Sequence, residues 1–223
     1  MPTVTRFALV AVFAVLSACG SDPGTGSHTL YVRGSMDTDG STDGTSVRIE
    51  VREGNRSGTV VTDAIVTLRS VAGTDQTLGL INRGNTPVYE RSGFAWDRGF
   101  VLQIRRGNTD MLDAALETPG VTVITDPVQA TTFNRTNNPR FVVRWRDEYG
   151  RAAQMPEVRL ERADIKQSLP QDVNQFELES SRLVPTQDEQ VTVTRTNKVT
   201  LQGGLDGSEW TATTHHRIDF RVE

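Results

Sequence analysis

From His28 onward, apolar and polar residues alternate with a period of two, in short runs separated by turn clusters. That period puts one face of an extended strand into a core and the other into solvent. Leu30, Val32 and Met36 share a face; so do Val47, Ile49 and Val51, then Ala64, Val66 and Leu68, then Phe100, Leu102 and Ile104. The same grammar resumes with Phe141, Val143 and Trp145, with Val158 and Leu160, Phe176 and Leu178, Val191 and Val193, and closes on Ile218, Phe220 and Val222. Between the runs lie stretches such as Glu53-Gly-Asn-Arg-Ser-Gly58, Asn82-Arg-Gly-Asn85 and Arg106-Gly-Asn-Thr109, where Gly and Asn tolerate the positive φ of tight turns. Helical periodicity over ten or more residues is absent after the first 27 positions. The best short helical candidate, Asp110 to Glu117, reads as a strand because a hairpin turn immediately precedes it.

Short strands with regular turn signals predict an all-β fold of antiparallel sandwiches, not a parallel sheet with crossover helices. Thr118-Pro119-Gly120 is the expected boundary, since a Pro-Gly pair breaks helices and strands alike. The expected organisation is two tandem sandwich domains, at 28–118 and 121–223.

Two partial resemblances refine this expectation. Gly58-Thr-Val-Val-Thr-Asp63-Ala64-Ile-Val66-Thr-Leu68 resembles the opening of a carboxypeptidase-regulatory or transthyretin-like sandwich, in which a Gly, an apolar pair and Asp-Ala precede an alternating strand. Phe141-Val-Val143-Arg-Trp145 is similar to the core strand of immunoglobulin-like and fibronectin type III domains, where a Trp sits between the sheets. Both imply a fold class and neither implies a ligand.

The N-terminus carries an address. Met1 to Arg6 has one positive charge and no acid, an uncharged apolar run extends from Phe7 to Ala18, and Leu16-Ser17-Ala18-Cys19 follows the pattern Leu, small residue, Gly or Ala, Cys. The run is shorter than the ~20 residues needed to cross a hydrocarbon core. This segment resembles the lipobox of bacterial lipoproteins. The resemblance implies removal of residues 1–18, a diacylglycerol thioether and an acylated amino group on Cys19, and, with no Asp directly after the Cys, sorting to the outer membrane. Several acyl chains on one residue suffice for stable anchoring. The polar, glycine-rich stretch 19–27 is expected to be a flexible lipidated tether. Cys19 is the only cysteine, so the chain cannot form an internal disulfide or a thiolate metal site. The net charge of −4 argues against nucleic acid as a partner.

Asp37-Thr-Asp39-Gly-Ser-Thr-Asp43-Gly44 is the sharpest candidate for chemistry. Asp37, Asp39 and Asp43 offer three hard-oxygen side chains to Ca²⁺, which takes six to eight ligands, but the glycines do not fall at EF-hand spacing. The competing and preferred interpretation is a polar hairpin loop, so no metal or other cofactor is expected apart from the covalent lipid. His215 and His216 are adjacent on a strand and point to opposite faces, which disfavours a shared metal. The Gly-x-Ser-x-Gly elbow, His-Glu-x-x-His, Ser-x-x-Lys and phosphate-loop motifs are absent, and the glycine-rich Gly203 to Gly207 is expected to be a turn. Asp147, Glu148, Asp188 and Glu189 are acids that a hydrolase would have to cluster. Arg140, Arg144 and Arg146 line the solvated side of their strand, where cross-strand charge pairs explain them. Trp96, flanked by glycines, is the aromatic most suited to an exposed loop. The expected function is therefore a membrane-anchored, non-catalytic envelope module with a structural or protein-interaction role. The alternative is a glycan- or peptide-binding module, calcium-assisted in one version, using Trp96 and the 37–44 loop, and a hydrolase ranks behind both.

Overall fold

A computed structural model describes residues 21–84 and 86–223. Residues 1–18 and Cys19, with the expected signal and lipidation site, lie outside the described residues. The described chain is all-β, as the alternation predicts. Its strands are β1 (Asp22–Gly26), β2 (Leu30–Thr38), β3 (Thr45–Glu53), β4 (Ile65–Ser70), β5 (Asp75–Thr77), β6 (Gly79–Arg83), β7 (Thr86–Phe94), β8 (Gly99–Arg106) and β9 (Asp110–Glu117). After the expected boundary come β10 (Thr122–Asp126), β11 (Thr132–Phe133), β12 (Arg140–Asp147), β13 (Met155–Leu160), β14 (Ile165–Ser168), β15 (Gln175–Glu179), β16 (Thr186–Thr200) and β17 (Glu209–Val222).

One large sheet, in the order β14-β13-β16-β17-β2-β3-β7-β6 with β11 alongside β17, forms a layer common to the whole molecule. Two smaller sheets cover it: β1-β9-β8-β4-β5 and β10-β12-β15. The pairing is antiparallel except where β17 meets β2, with Glu209 opposite Arg33, and where β11 meets β17. The first facing sheet buries Val66, Leu68, Phe100, Leu102 and Leu112 against Val32, Met36 and Ile49 of the large one. The second buries Phe141, Val143, Trp145 and Leu178 against Val158, Val191, Val193 and Phe220.

The hairpin β16–β17 belongs to both cores. Its inward residues near the turn, Val199, Leu201, Trp210 and Ala212, pack in the first core, and those near its open end, Val191, Val193, Ile218, Phe220 and Val222, pack in the second. The sequence assigns all of 121–223 to a second domain, whereas four of its apolar residues complete the first core. The physical reason is strand length: β16 has 15 residues, about 50 Å at ~3.3 Å per residue, far longer than an ordinary strand. Gly34 on β2 makes room for this arrangement. A Cβ there would stand 2.8 Å from Cδ1 of the fully buried Trp210 and 2.7 Å from Cδ1 of Ile49.

The expected tether is also structured. Asp22–Gly26 pairs with β9, Asp22 opposite Ala115 and Gly26 opposite Leu112. The amide of Glu117 donates to Ser21 Oγ at 3.1 Å, and the amide of Gln202 to the carbonyl of Pro23 at 2.9 Å.

Candidate functional site

Along β16 the inward positions read Val191, Val193, Arg195, Asn197 and Val199, so two polar residues stand where the alternation asks for apolar ones. They lie between the two cores, beneath the crossing Glu117 to Thr122 that connects the facing sheets. Arg195 is fully buried, and a buried cation is tolerated only with its N–H groups paired. Its Nε and Nη2 donate to Asp172 Oδ2 at 2.7 and 2.5 Å, and Nη2 also reaches Asp147 Oδ2 at 3.1 Å. Nη1 donates to the carbonyl of Gly120 at 2.9 Å and Nη2 to that of Arg151 at 2.6 Å. Asp172 accepts in addition from the Ala153 amide at 2.7 Å. Asn197 Nδ2 donates to the Glu117 carbonyl at 2.9 Å, and the hydroxyl of Thr214 to that of Gly120 at 3.2 Å. One guanidinium thus ties together the crossing, the end of β12, the loop after it and the loop before β15.

Outside this buried network lies a cavity of about 480 Å³ lined by Trp96, Asp97, Arg98, Tyr149 and Arg151. Trp96 sits on the loop between β7 and β8, half-buried, edge-on to Phe100 at 6.2 Å between ring centroids. Its indole N–H donates to the carbonyl of Pro119 at 3.0 Å. Trp96 also lines a smaller hollow of about 250 Å³ with Ser70, Ala72, Gln76 and Phe94. Tyr149, with φ of 83°, projects from the β12–β13 turn and is 78 % exposed. The Arg151 guanidinium carbon lies 5.3 Å from the Tyr149 ring centre, and its Nη1 donates to Thr118 Oγ1 at 3.2 Å. Its Nε and Nη2 are buried without hydrogen-bond partners among the described residues. Burial draws the Arg151 guanidinium below the ordinary arginine range, while Glu117, Asp97, Tyr149 and Asp147 pull it back up. Asp97 is engaged by the backbone: its Oδ2 accepts from the Ala72 amide at 2.8 Å and its Oδ1 from that of Arg98 at 2.7 Å.

The residues singled out in the sequence fall as follows. Asp37 accepts from Ser46 Oγ at 2.9 Å, and Asp39 accepts from both the amide and the hydroxyl of Ser41, at 2.9 and 2.7 Å. The Ser41 amide, then its hydroxyl, hold the Asp39 carboxyl below the usual carboxylate range, with a smaller pull from His215. Asp43 joins neither hydrogen bond, and no group of three His, Cys, Asp or Glu suited to a metal occurs among the described residues. His216 turns inward and its Nδ1 accepts the Ile124 amide at 3.2 Å. The four acids are scattered. Asp147 faces Arg195, Glu148 is exposed, and Asp188 pairs with Arg162 at 2.5 Å. Glu189, fully buried, accepts the amides of Arg162, Ala163 and Gln190. Arg140 pairs with Glu177, and Arg144 with Asp126 at 2.9 Å, across neighbouring strands. Gly203 to Gly207 forms the β16–β17 turn.

Sequence reasoning missed Arg195, Asp172, Tyr149 and Arg151. For Arg195 a signal existed, a lone charge at an inward position of an otherwise regular run. The other three sit in loops, where no periodicity marks them.

No protein-family model and no curated protein matches this chain. Among solved structures, a trypsin-activated alpha-2-macroglobulin from Escherichia coli aligns at TM-score 0.29 and 12 % identity over 87 % of this chain. The alignment spans 16 % of that much longer protein. The two-domain structure DIP-gamma IG1+IG2 aligns at TM-score 0.26 and 8 % identity, over 88 % of this chain and 99 % of that one.

Proposed function

We propose that this chain is a non-catalytic interaction module of the bacterial cell envelope, held on the outer membrane by lipid on Cys19. The observation that carries this reading is the use of the buried polar groups. Arg195, Asp147 and Asp172 engage one another and the backbone at the joint between the cores, and Glu189 caps a turn. These are roles of a frame that holds surfaces in fixed relation, with the ionisable groups directed at the protein itself. The glycan- or peptide-binding alternative has less support, because the groups it would use are engaged: the Trp96 N–H by Pro119, and the Asp37 and Asp39 carboxylates by serines.

Metabolic labelling with a fatty acid and fractionation of cells expressing the full chain or Cys19→Ser test the anchor. Label and outer-membrane fractionation are expected for the wild type and loss of both for the variant; a variant that stays in the membrane fraction would overturn it. A photo-cross-linking residue scanned over exposed positions in living cells is expected to give discrete protein adducts from one contiguous face. Adducts from no face, together with turnover of an envelope substrate by the purified protein, would replace the interaction role with an enzymatic one.

A further inference from the structure

The start of the described chain fixes where an anchor on Cys19 would pull. Ser21 is hydrogen-bonded to Glu117, and Asp22 is already paired with β9. Cys19 lies two residues earlier, and two residues span at most ~7 Å when fully extended. The headgroup regions together add roughly 10–15 Å to a ~30 Å hydrocarbon core, so each is about as thick as that reach. The surface around Glu117 therefore cannot stand clear of a bilayer that holds acyl chains on Cys19.

That surface has a particular chemistry. Glu117, Arg98 and Val71 border one shallow hollow, and the Thr118 amide donates to the Arg98 carbonyl at 3.1 Å. Thr118 accepts from Arg151, which lies beside the Tyr149 ring, and both face the cavity lined by Trp96. Val71 is 44 % exposed and Tyr149 78 %, the highest value among the large apolar side chains of the described residues. Neither Arg98 nor Arg151 takes part in an ion pair among the described residues, although most other arginines of the surface do. The exposed Tyr149 ring and the exposed, unpaired Arg98, which line one cavity, suit the boundary layer of a bilayer, where rings sit at headgroup level and arginines bind phosphate, while Arg151 holds the ring from behind.

We propose that the rim formed by Val71, Arg98, Tyr149 and Arg151 is a membrane-contact surface lying in the phospholipid headgroup layer of the bilayer that carries the Cys19 anchor. The proposal rests on the anchor proposed above and adds to it an orientation: the molecule meets the membrane at the joint between its cores. The Asp97 and Glu117 carboxylates beside the two arginines balance their charge, which matches zwitterionic headgroups.

The full chain contains one cysteine, and acylation occupies it, so a thiol-directed nitroxide reports on a single introduced position. The acylated protein, purified from cells and reconstituted into phosphatidylethanolamine–phosphatidylglycerol vesicles, is labelled at Tyr149→Cys, with Val71→Cys as a second rim position. Val184→Cys serves as the distant reference; the β16 segment between Thr186 and Asn197, which contacts Glu117, spans roughly 36 Å at ~3.3 Å per residue. Both rim labels are expected to lose accessibility to a water-soluble nickel chelate on reconstitution and to keep that loss when inorganic phosphate is added, while Val184→Cys stays accessible. Rim labels as accessible as Val184→Cys, on protein shown by mass spectrometry to be acylated, would overturn the membrane surface and leave the anchor standing. Unacylated Cys19 would overturn the anchor and this proposal together. Rim labels shielded in whole envelopes but not in lipid vesicles would overturn the proposal in favour of a protein partner at the same place.

Discussion

Arg195 Nη2 and Asp172 Oδ2 stand 2.5 Å apart with both side chains removed from solvent, at the level where one hydrophobic core gives way to the other. The pair joins β16 to a loop of the opposite layer at the place where apolar packing is interrupted. Buried ion pairs of this kind add little net stability relative to a well-packed apolar replacement, yet losing one partner is severe because the other is left buried and unpaired.

Arg195→Met is accordingly expected to destabilise the fold by about 3–5 kcal/mol, since it strands Asp172 and Asp147. Adding Asp172→Asn and Asp147→Asn to Arg195→Met should recover part of that loss. Urea unfolding of the purified protein measures both. A single variant within about 1 kcal/mol of wild type would show that the network is dispensable.

Gly34→Ala is expected to destabilise by about 1–3 kcal/mol, the usual penalty for forcing an extra methyl into a packed core. The atoms it would strike, Trp210 Cδ1 and Ile49 Cδ1, belong to fully buried side chains with little freedom to move. Thermal melts followed by tryptophan emission report the change, and an unchanged midpoint would mean that Trp210 repacks freely.

Burial, and to a smaller degree the neighbouring His215, keep the His216 imidazole below its ordinary pKa. Its Nδ1 accepts the Ile124 amide, which only the unprotonated nitrogen can do. The unfolded chain binds a proton at about pH 6.5, so this contribution is fully present above that value and is lost as pH falls from there towards the depressed folded pKa. The denaturation midpoint should decline between neutral pH and about pH 5 in the wild type and stay level over that window in His216→Gln. Carboxylates with lowered values, such as Glu90 beside Arg83 and Asp39 beside Ser41, add their losses only at more acidic pH, nearer 4 and below. Parallel curves for the two proteins would show that His216 does not carry the effect.

A fragment ending near residue 118 is expected to stay unfolded on its own, because it lacks Trp210, Ala212, Val199 and Leu201 and the strand that pairs with β2. Dispersion of amide resonances in a fragment covering 21–118 tests this, and a well-dispersed spectrum would show that the first core closes without the hairpin.

Most strands were legible because alternation is a direct image of burial. The inward sets on β2, β3, β8, β12 and β15 match the buried residues, and Asp110–Glu117 is the strand that its preceding turn implied. β1 was hidden for a physical reason. It is an edge strand held by backbone hydrogen bonds, and its glycines mark close approach where the sequence suggested flexibility: a Cβ on Gly26 would lie 2.4 Å from the Gly203 carbonyl oxygen. Local pattern also cannot tell which core a residue joins. The regular run from Val191 to Val199 passes through two, and only the pairing of β17 with β2 shows it. The rim of Val71, Arg98, Tyr149 and Arg151 draws on three loops, those after β4, between β7 and β8, and between β12 and β13, so no contiguous stretch of sequence describes it.

Sharing one hairpin between two cores also sets an order of assembly. The Val32 amide and Ser208 Oγ, 3.0 Å apart in the fold, are separated by 176 residues of chain. Contacts so distant in sequence form late and slowly, after a large loop has been closed. In a polypeptide delivered from its N-terminus, β2 waits for β17, the last strand described, and the second core waits for the same segment. Neither half can shelter its apolar face ahead of the other, and the arrival of β17 closes both at once.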